Sequence, residues 1–174
     1  MKKINLFVLI FFALTTVCFA QNGNPYDFTQ VQKPLIPNSY KTPGYLFLPK
    51  PSVEEMCTPG WTKTVRDVSG SLKKQVFERY GIDPKNSSHY EVDHMISLEL
   101  GGGNNIENLW PQSYDTKPWN ARVKNRLENY LHREVCQGRM DRSEAQNLIT
   151  GNWIDSYCIL FNDMIKECTD YRTR

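Results

Sequence analysis

Hydrophobic positions change their spacing several times along the chain, and each change marks a different kind of segment. Leu6 to Leu14 is an unbroken apolar run behind Lys2-Lys3, followed by mostly small residues up to Ala20. It is shorter than the ~20 residues a membrane span needs and reads as a secretory signal peptide, residues 1–20. Residues 21–50 carry Pro25, Pro34, Pro37, Pro43 and Pro49 among scattered polar side chains. That spacing disfavours helix and central strand and predicts an extended Pro-rich arm. From Ser69 the period becomes helical. Leu72, Val76, Phe77 and Tyr80 share a face, Ser69 or Ser71 can cap the start, and Gly81 can end it.

Imperfect alternation from Tyr90 to Leu100 predicts a strand, Gly101-Gly102-Gly103-Asn104-Asn105 a turn, and Ile106 to Trp110 a short returning strand. Trp119 to Cys136 is the strongest helical stretch, stopped by Gly138. Asp141-x-x-Glu144 has the form of a capping box for a helix through Ile149, and a last helix runs from Trp153 to about Lys166. The expected class is α+β, with residues 51–174 as one folded domain.

Composition narrows the function classes. The chain has 174 residues, 40% apolar and 12% aromatic, which excludes a disordered chain and a pair of full-sized domains. Cleavage after Ala20 removes two of the 21 basic residues and none of the 19 acidic ones, so the mature protein is formally neutral. Binding driven by a globally basic surface is therefore unsupported, and any contact with nucleic acid must use a local patch. Cys57, Cys136, Cys158 and Cys168 remain after cleavage. An even count in an exported protein predicts two disulfides, with three pairings open. A zinc site is discounted, because the chain has no Cys-x-x-Cys.

Candidate chemistry concentrates at Asp93-His94. A carboxylate beside an imidazole offers a hard-metal ligand and a near-neutral proton acceptor, the two groups that hydrolysis of a phosphodiester can use. The competing interpretation of such a pair is a structural hydrogen bond. Strand alternation would send the two side chains to opposite faces, so both reach one site only if the strand bends or ends there. Glu91 shares parity with Asp93 and is a candidate second acid.

Tyr90-Glu91-Val92-Asp93-His94, then Leu98-Glu99-Leu100-Gly101-Gly102, then Asn108-Leu109-Trp110-Pro111-Gln112 stand in that order. Together they resemble the HNH endonucleases of the ββα-metal fold, closest to small exported bacterial HNH-like proteins. The resemblance runs from about Cys57 to Trp153. It implies a ββα-metal core with additional helices, His94 as general base, Asp93 as metal ligand and Asn108 as a structural brace of the loop. It implies a divalent cofactor, Mg2+ ahead of Mn2+ or Ca2+, and a nucleic-acid substrate, DNA ahead of RNA, cut with little sequence specificity. For the third motif position, Asn120 and Asn125 compete.

A helical wheel ranks them. With Trp119 at zero, Trp119, Val123, Leu127, Tyr130 and Leu131 span roughly 120°, centred near ~50°. Asn120 falls at about 100°, on the flank of that arc, and Asn125 at about 240°, facing solvent. Asn120 is therefore the expected ligand, with Lys124 on the same flank and Arg122 and Arg126 nearby as phosphate contacts. The alternative is a non-catalytic extracytoplasmic binding module on the same scaffold, periplasmic or secreted as the enzyme would be.

Overall fold

The computed structural model describes residues 36–173; the expected signal peptide and the first part of the expected arm lie outside them. Seven α-helices and one two-stranded sheet form the described residues: α1 Val53–Met56, α2 Trp61–Val65, α3 Gly70–Tyr80, β1 Tyr90–His94, β2 Leu109–Ser113, α4 Ala121–Cys136, α5 Arg142–Thr150, α6 Trp153–Leu160 and α7 Ile165–Arg172. Mixed helix with a small sheet is α+β in the general sense. Two disulfides close it, Cys57–Cys136 and Cys158–Cys168. No helix among the described residues is long and apolar enough to cross a membrane.

Local signals account for several boundaries. The Ser69 side chain accepts from the Leu72 N–H, and Gly81 closes α3 at φ 71°, a left-handed conformation open to glycine. Ser52 and Glu55 form a reciprocal capping box on α1. Asp141 does sit at the N-cap of α5 but makes no side-chain cap bond, so the box expected with Glu144 is not formed. The expected last helix is interrupted. Residues 161–164 separate α6 from α7, and the second disulfide joins the two helices across that break.

The strand expectations need a larger correction. β1 stops at His94, and Leu98–Leu100 is a 3-10 turn rather than the end of a strand. Ile106–Asn108 is another 3-10 turn, and the return strand runs three residues later than expected, through Pro111. In a two-stranded sheet every strand is an edge, so a proline is tolerated. The antiparallel register pairs Asp93 with Trp110 and His94 with Leu109.

Long-range contacts, invisible to local periodicity, set these limits. A Cβ at Gly102 would stand 1.8 Å from the Ile96 carbonyl oxygen, so only glycine lets the loop close on the end of β1. Residues 44–47 run along this loop, with a bridge from Leu46 to Gly102 and a 2.7 Å hydrogen bond from Gly103 N–H to the Tyr45 carbonyl. Two apolar clusters support the frame. Val76, Phe77, Ile82, Val92 and Leu109 join α3 to the sheet. Leu127, Leu131 and Val135 of α4 pack with Trp119, Ala145, Ile149, Trp153, Ile154 and Tyr157.

Candidate functional site

β1 ends where its alternation would have separated Asp93 from His94, and both side chains line one cavity of about 220 Å³. Arg66, Glu91, Glu99, Asn125, Glu128 and Asn129 also face it. Asn108, fully buried, holds the loop beside it. Its Oδ1 accepts from the Ile96 N–H at 2.9 Å, and its Nδ2 donates to the carbonyls of Ile96 and Gly103 at 3.0 and 2.9 Å.

The tautomer of His94 follows from its neighbour. Asn104 Nδ2 donates to the Val65 carbonyl at 2.7 Å, which leaves Asn104 Oδ1 as the acceptor 3.1 Å from His94 Nε2. Nε2 therefore carries the proton, and Nδ1 keeps its lone pair with no partner among the described residues. Burial pushes the His94 pKa down to about 4, outweighing the attraction of Asp93, so the ring is a neutral base at pH 7.

Asp93 is held from the other side by Lys124. The ammonium donates to Asp93 Oδ2 at 2.7 Å, to the His94 carbonyl at 2.9 Å and to Glu128 Oε1 at 2.6 Å, with no exposed surface left. All three of its donors are thereby used. Burial opposes its charge, but the two carboxylates overcome that and raise its pKa. One ammonium between two carboxylates leaves a negative charge in excess. Burial, followed by repulsion from Asp93 and only partly relieved by Lys124, pushes Glu128 up to about 8. Burial and then Asp93 also raise Glu91. Asp93 Oδ1 has no partner among the described residues.

The polar residues on α4 fall differently from the helical-wheel expectation. Asn120 is the N-cap. Its Oδ1 accepts from the N–H groups of Arg122 and Val123 at 3.0 and 3.3 Å, and its Nδ2 donates to the Thr116 carbonyl. Asn125, expected in solvent, lines the cavity and donates to Glu91 at 3.4 Å. Lys124 is buried in the ion network and is no longer available to a phosphate. The physical reason lies in which turns of α4 are buried: Ala121, Lys124, Leu127, Glu128, Leu131 and Val135 are, whereas Val123 and Tyr130 are only partly covered and Trp119 precedes the helix. The buried face therefore centres at roughly 150° on the same scale, which leaves Asn125 about 90° from it, on its flank, rather than opposite it.

Arg122 and Arg126 lie in an adjacent groove with Arg133, Tyr130 and Phe161, joined to the first cavity through Asn125 and Asn129. Arg122 sits 5.7 Å above the Tyr114 ring, and Arg126 pairs with Asp163 and donates to the Tyr157 hydroxyl at 2.7 Å.

Sequence reasoning missed Arg66, Asn104 and the inward role of Glu128. Arg66 follows a five-residue helix far upstream of β1, with no local signal to link them; Asn104 was visible only as a turn former. The donor set on the cavity is oxygen-rich, namely Asp93 Oδ1, Glu91 and the Asn125 amide, and fits a hard divalent cation better than a soft one. A softer group, Cys57, His132 and Cys136, lies within ligating distance of one another at the far end of α4, with the two sulfurs joined in the disulfide. No family model, curated protein or solved structure matches the chain.

Proposed function

We propose that the chain is a divalent-metal-dependent endonuclease that hydrolyses nucleic-acid phosphodiester bonds with little sequence readout. One observation carries this reading: Asp93 and His94 line the same small cavity, and Asp93 Oδ1 and His94 Nδ1 have no partner among the described residues. The order β1, β2, α4 agrees with the layout of the ββα-metal fold that the Asp93-His94 and Asn108 motifs resemble. In this mechanism Nδ1 of His94 takes the proton of the attacking water, while Asn104 holds the ring by its Nε2–H. Asp93, Glu91 and Asn125 would hold the cation, which supplies positive charge against the developing negative charge on the phosphate; magnesium suits these donors. Arg66 at the cavity, and Arg122, Arg126 and Arg133 along the next groove, contact backbone phosphates, which position a strand without reading bases. The apolar N-terminal run and the two disulfides support export.

A second reading has its own observation. The Lys124 ammonium already neutralises Asp93 at 2.7 Å, as in a scaffold that binds without cutting. Incubation of the purified protein with plasmid DNA and with RNA, in magnesium or in chelator, separates the two. Magnesium-dependent cleavage is expected, and His94→Ala lowers it by about 10²-fold or more while fold and metal binding persist. Binding without cleavage establishes the scaffold reading, and wild-type rates in the variant remove His94 as the base.

A further inference from the structure

The far end of α4 brings together a second set of ligating atoms. His132 and Cys136 are one helical turn apart on the same face, and Cys57 reaches them from the C-cap of α1. His132 Nε2 stands 3.2 Å from Cys136 Sγ and 3.1 Å from the Met56 carbonyl oxygen. On the other edge of the ring, Nδ1 lies 3.8 Å from Glu99 Oε2, a buried oxygen with no hydrogen-bond partner. We propose that reduction of the Cys57–Cys136 disulfide converts this corner into a zinc site with Cys57, Cys136 and His132 as ligands and Glu99 as the carboxylate that orients the imidazole.

The distances suit a tetrahedral ion. Zinc–sulfur and zinc–nitrogen bonds of about 2.3 and 2.0 Å place neighbouring ligand atoms roughly 3.5–3.8 Å apart. The two sulfurs and the ring nitrogen already lie within 4.8 Å of one another, on Cys backbones whose Cα atoms are 5.6 Å apart. Side-chain rotation of the freed cysteines is enough to open the sulfur pair. Two thiolates balance the dication, so a neutral group occupies a half-buried corner, and the partial exposure leaves a fourth position for water.

Glu99 supplies the independent sign of a ligand. Nε2–H donates to the Met56 carbonyl, and Nδ1 stands 3.8 Å from Glu99 Oε2, beyond hydrogen-bond reach, so that buried oxygen has no donor. A metal on Nε2 moves the ring proton to Nδ1, which then gives Glu99 the donor it lacks. Metal-bound histidines commonly donate their second N–H to a carboxylate in this way. The second disulfide is a built-in contrast, because no histidine lines the pocket around Cys158 and Cys168.

The conversion balances with a dithiol as reductant. Two electrons and two protons pass from the dithiol to the sulfurs, breaking the S–S bond, and the dithiol closes to its own disulfide. Binding of Zn2+ then releases both thiol protons to solvent and forms two S–Zn bonds.

Cobalt(II) titration of the full chain tests this, with a phosphine that binds metal weakly as the laboratory reductant. The reduced protein should show thiolate-to-cobalt absorption saturating at one ion per chain and bleached by zinc; the oxidised protein should show none. The Cys158→Ser/Cys168→Ser variant should keep the full signal. His132→Ala should abolish saturable binding, and Glu99→Gln should weaken it by about 10–100-fold. Zinc should raise the melting temperature of the reduced chain and leave the oxidised one unchanged. The proposal fails if the reduced chain gives no saturable signal, if affinity survives His132→Ala, if the signal requires Cys158 and Cys168, or if a chain unfolded by reduction does not refold on adding cobalt.

Discussion

On one side α4 sinks Leu127, Leu131 and Val135 among the aromatic rings of Trp119, Trp153 and Tyr157, while toward β1 it buries Lys124 and Glu128 with Asp93. Both sides exclude water, but by opposite means. Each apolar side chain contributes roughly 1.5–3 kcal/mol on its own, with little dependence on its neighbours' identity. The charged group is costly to bury and persists only because three donors meet three acceptors. The apolar side therefore stabilises the fold. The charged side fixes Asp93 and the His94 carbonyl in place at the edge of a cavity, which is what a site requires.

The largest effect expected separates the two sides by whether damage can be repaired. Lys124→Met strands the buried Asp93 carboxylate, takes the donor from Glu128 and should destabilise the protein by about 3–5 kcal/mol. Replacing the whole group, Asp93→Leu with Lys124→Met and Glu128→Leu, should recover most of that loss, because no buried charge remains. Leu131→Ala should cost about 2–5 kcal/mol through its cavity, with no partner whose removal restores it. Urea denaturation at pH 7 in chelator measures all three. A Lys124→Met protein as stable as wild type would mean that this side is not held by charge pairing.

The same asymmetry governs what the sequence disclosed. α3 and α5 were legible because their ends carry Ser69, Gly81 and Asp141, and the apolar side of α4 because Leu127 and Leu131 keep helical spacing. Of the candidate site, the sequence singled out Asp93 and His94, which line the cavity, and Asn108, which holds the loop beside it. The inward turn of Asn125 was not legible, since Trp119, Val123 and Tyr130 draw an apolar wheel away from the face that α4 buries, which also carries Ala121 and Val135. The limits of β1 and β2 were hidden for another reason: they depend on Asn108 and Gly102 closing on Ile96 and on Tyr45 and Leu46 lying along the loop, contacts that no helical or strand period registers.

A smaller effect distinguishes the two sides by pH. His94 has a folded pKa of about 4 against an ordinary 6.5. Between those values the unfolded chain binds a proton that the native protein excludes, so this contribution is complete above pH 6.5 and is lost as pH falls toward 4. Its full size is about 3 kcal/mol, at ~1.4 kcal/mol per pH unit. Glu128 works in reverse. Its pKa, raised to about 8, gives a contribution present below about 4.5 and lost as pH rises through 8. The His94 part is isolated by comparing wild type with His94→Gln in metal-free urea melts at pH 7 and pH 4.5. Wild type should lose about 2–3 kcal/mol more than the variant over that interval. The penalty of Leu131→Ala should be the same at both values. Parallel pH profiles for wild type and His94→Gln would show that the ring is not buried neutral.

The smallest effect concerns the two asparagines of α4, and it sharpens the division between holding a fold and forming a site. Asn120 satisfies two otherwise free N–H groups at the start of the helix and ties itself to Thr116, so Asn120→Ala should cost about 1 kcal/mol. It faces no part of the cavity, and magnesium-dependent cleavage by the folded variant should be unchanged. Asn125 caps nothing, and its one side-chain bond, to Glu91, is long at 3.4 Å. Asn125→Ala should therefore leave stability within about 0.5 kcal/mol of wild type. It should raise the magnesium concentration needed for half-maximal cleavage, because it removes an amide oxygen from the side of the cavity that holds Asp93 and Glu91. Magnesium titrations of the cleavage rate, run beside urea melts on the same two proteins, give both readouts. The opposite ranking, with Asn120→Ala weakening the metal response and Asn125→Ala leaving it intact, would return the ligand role to the residue at the helix start.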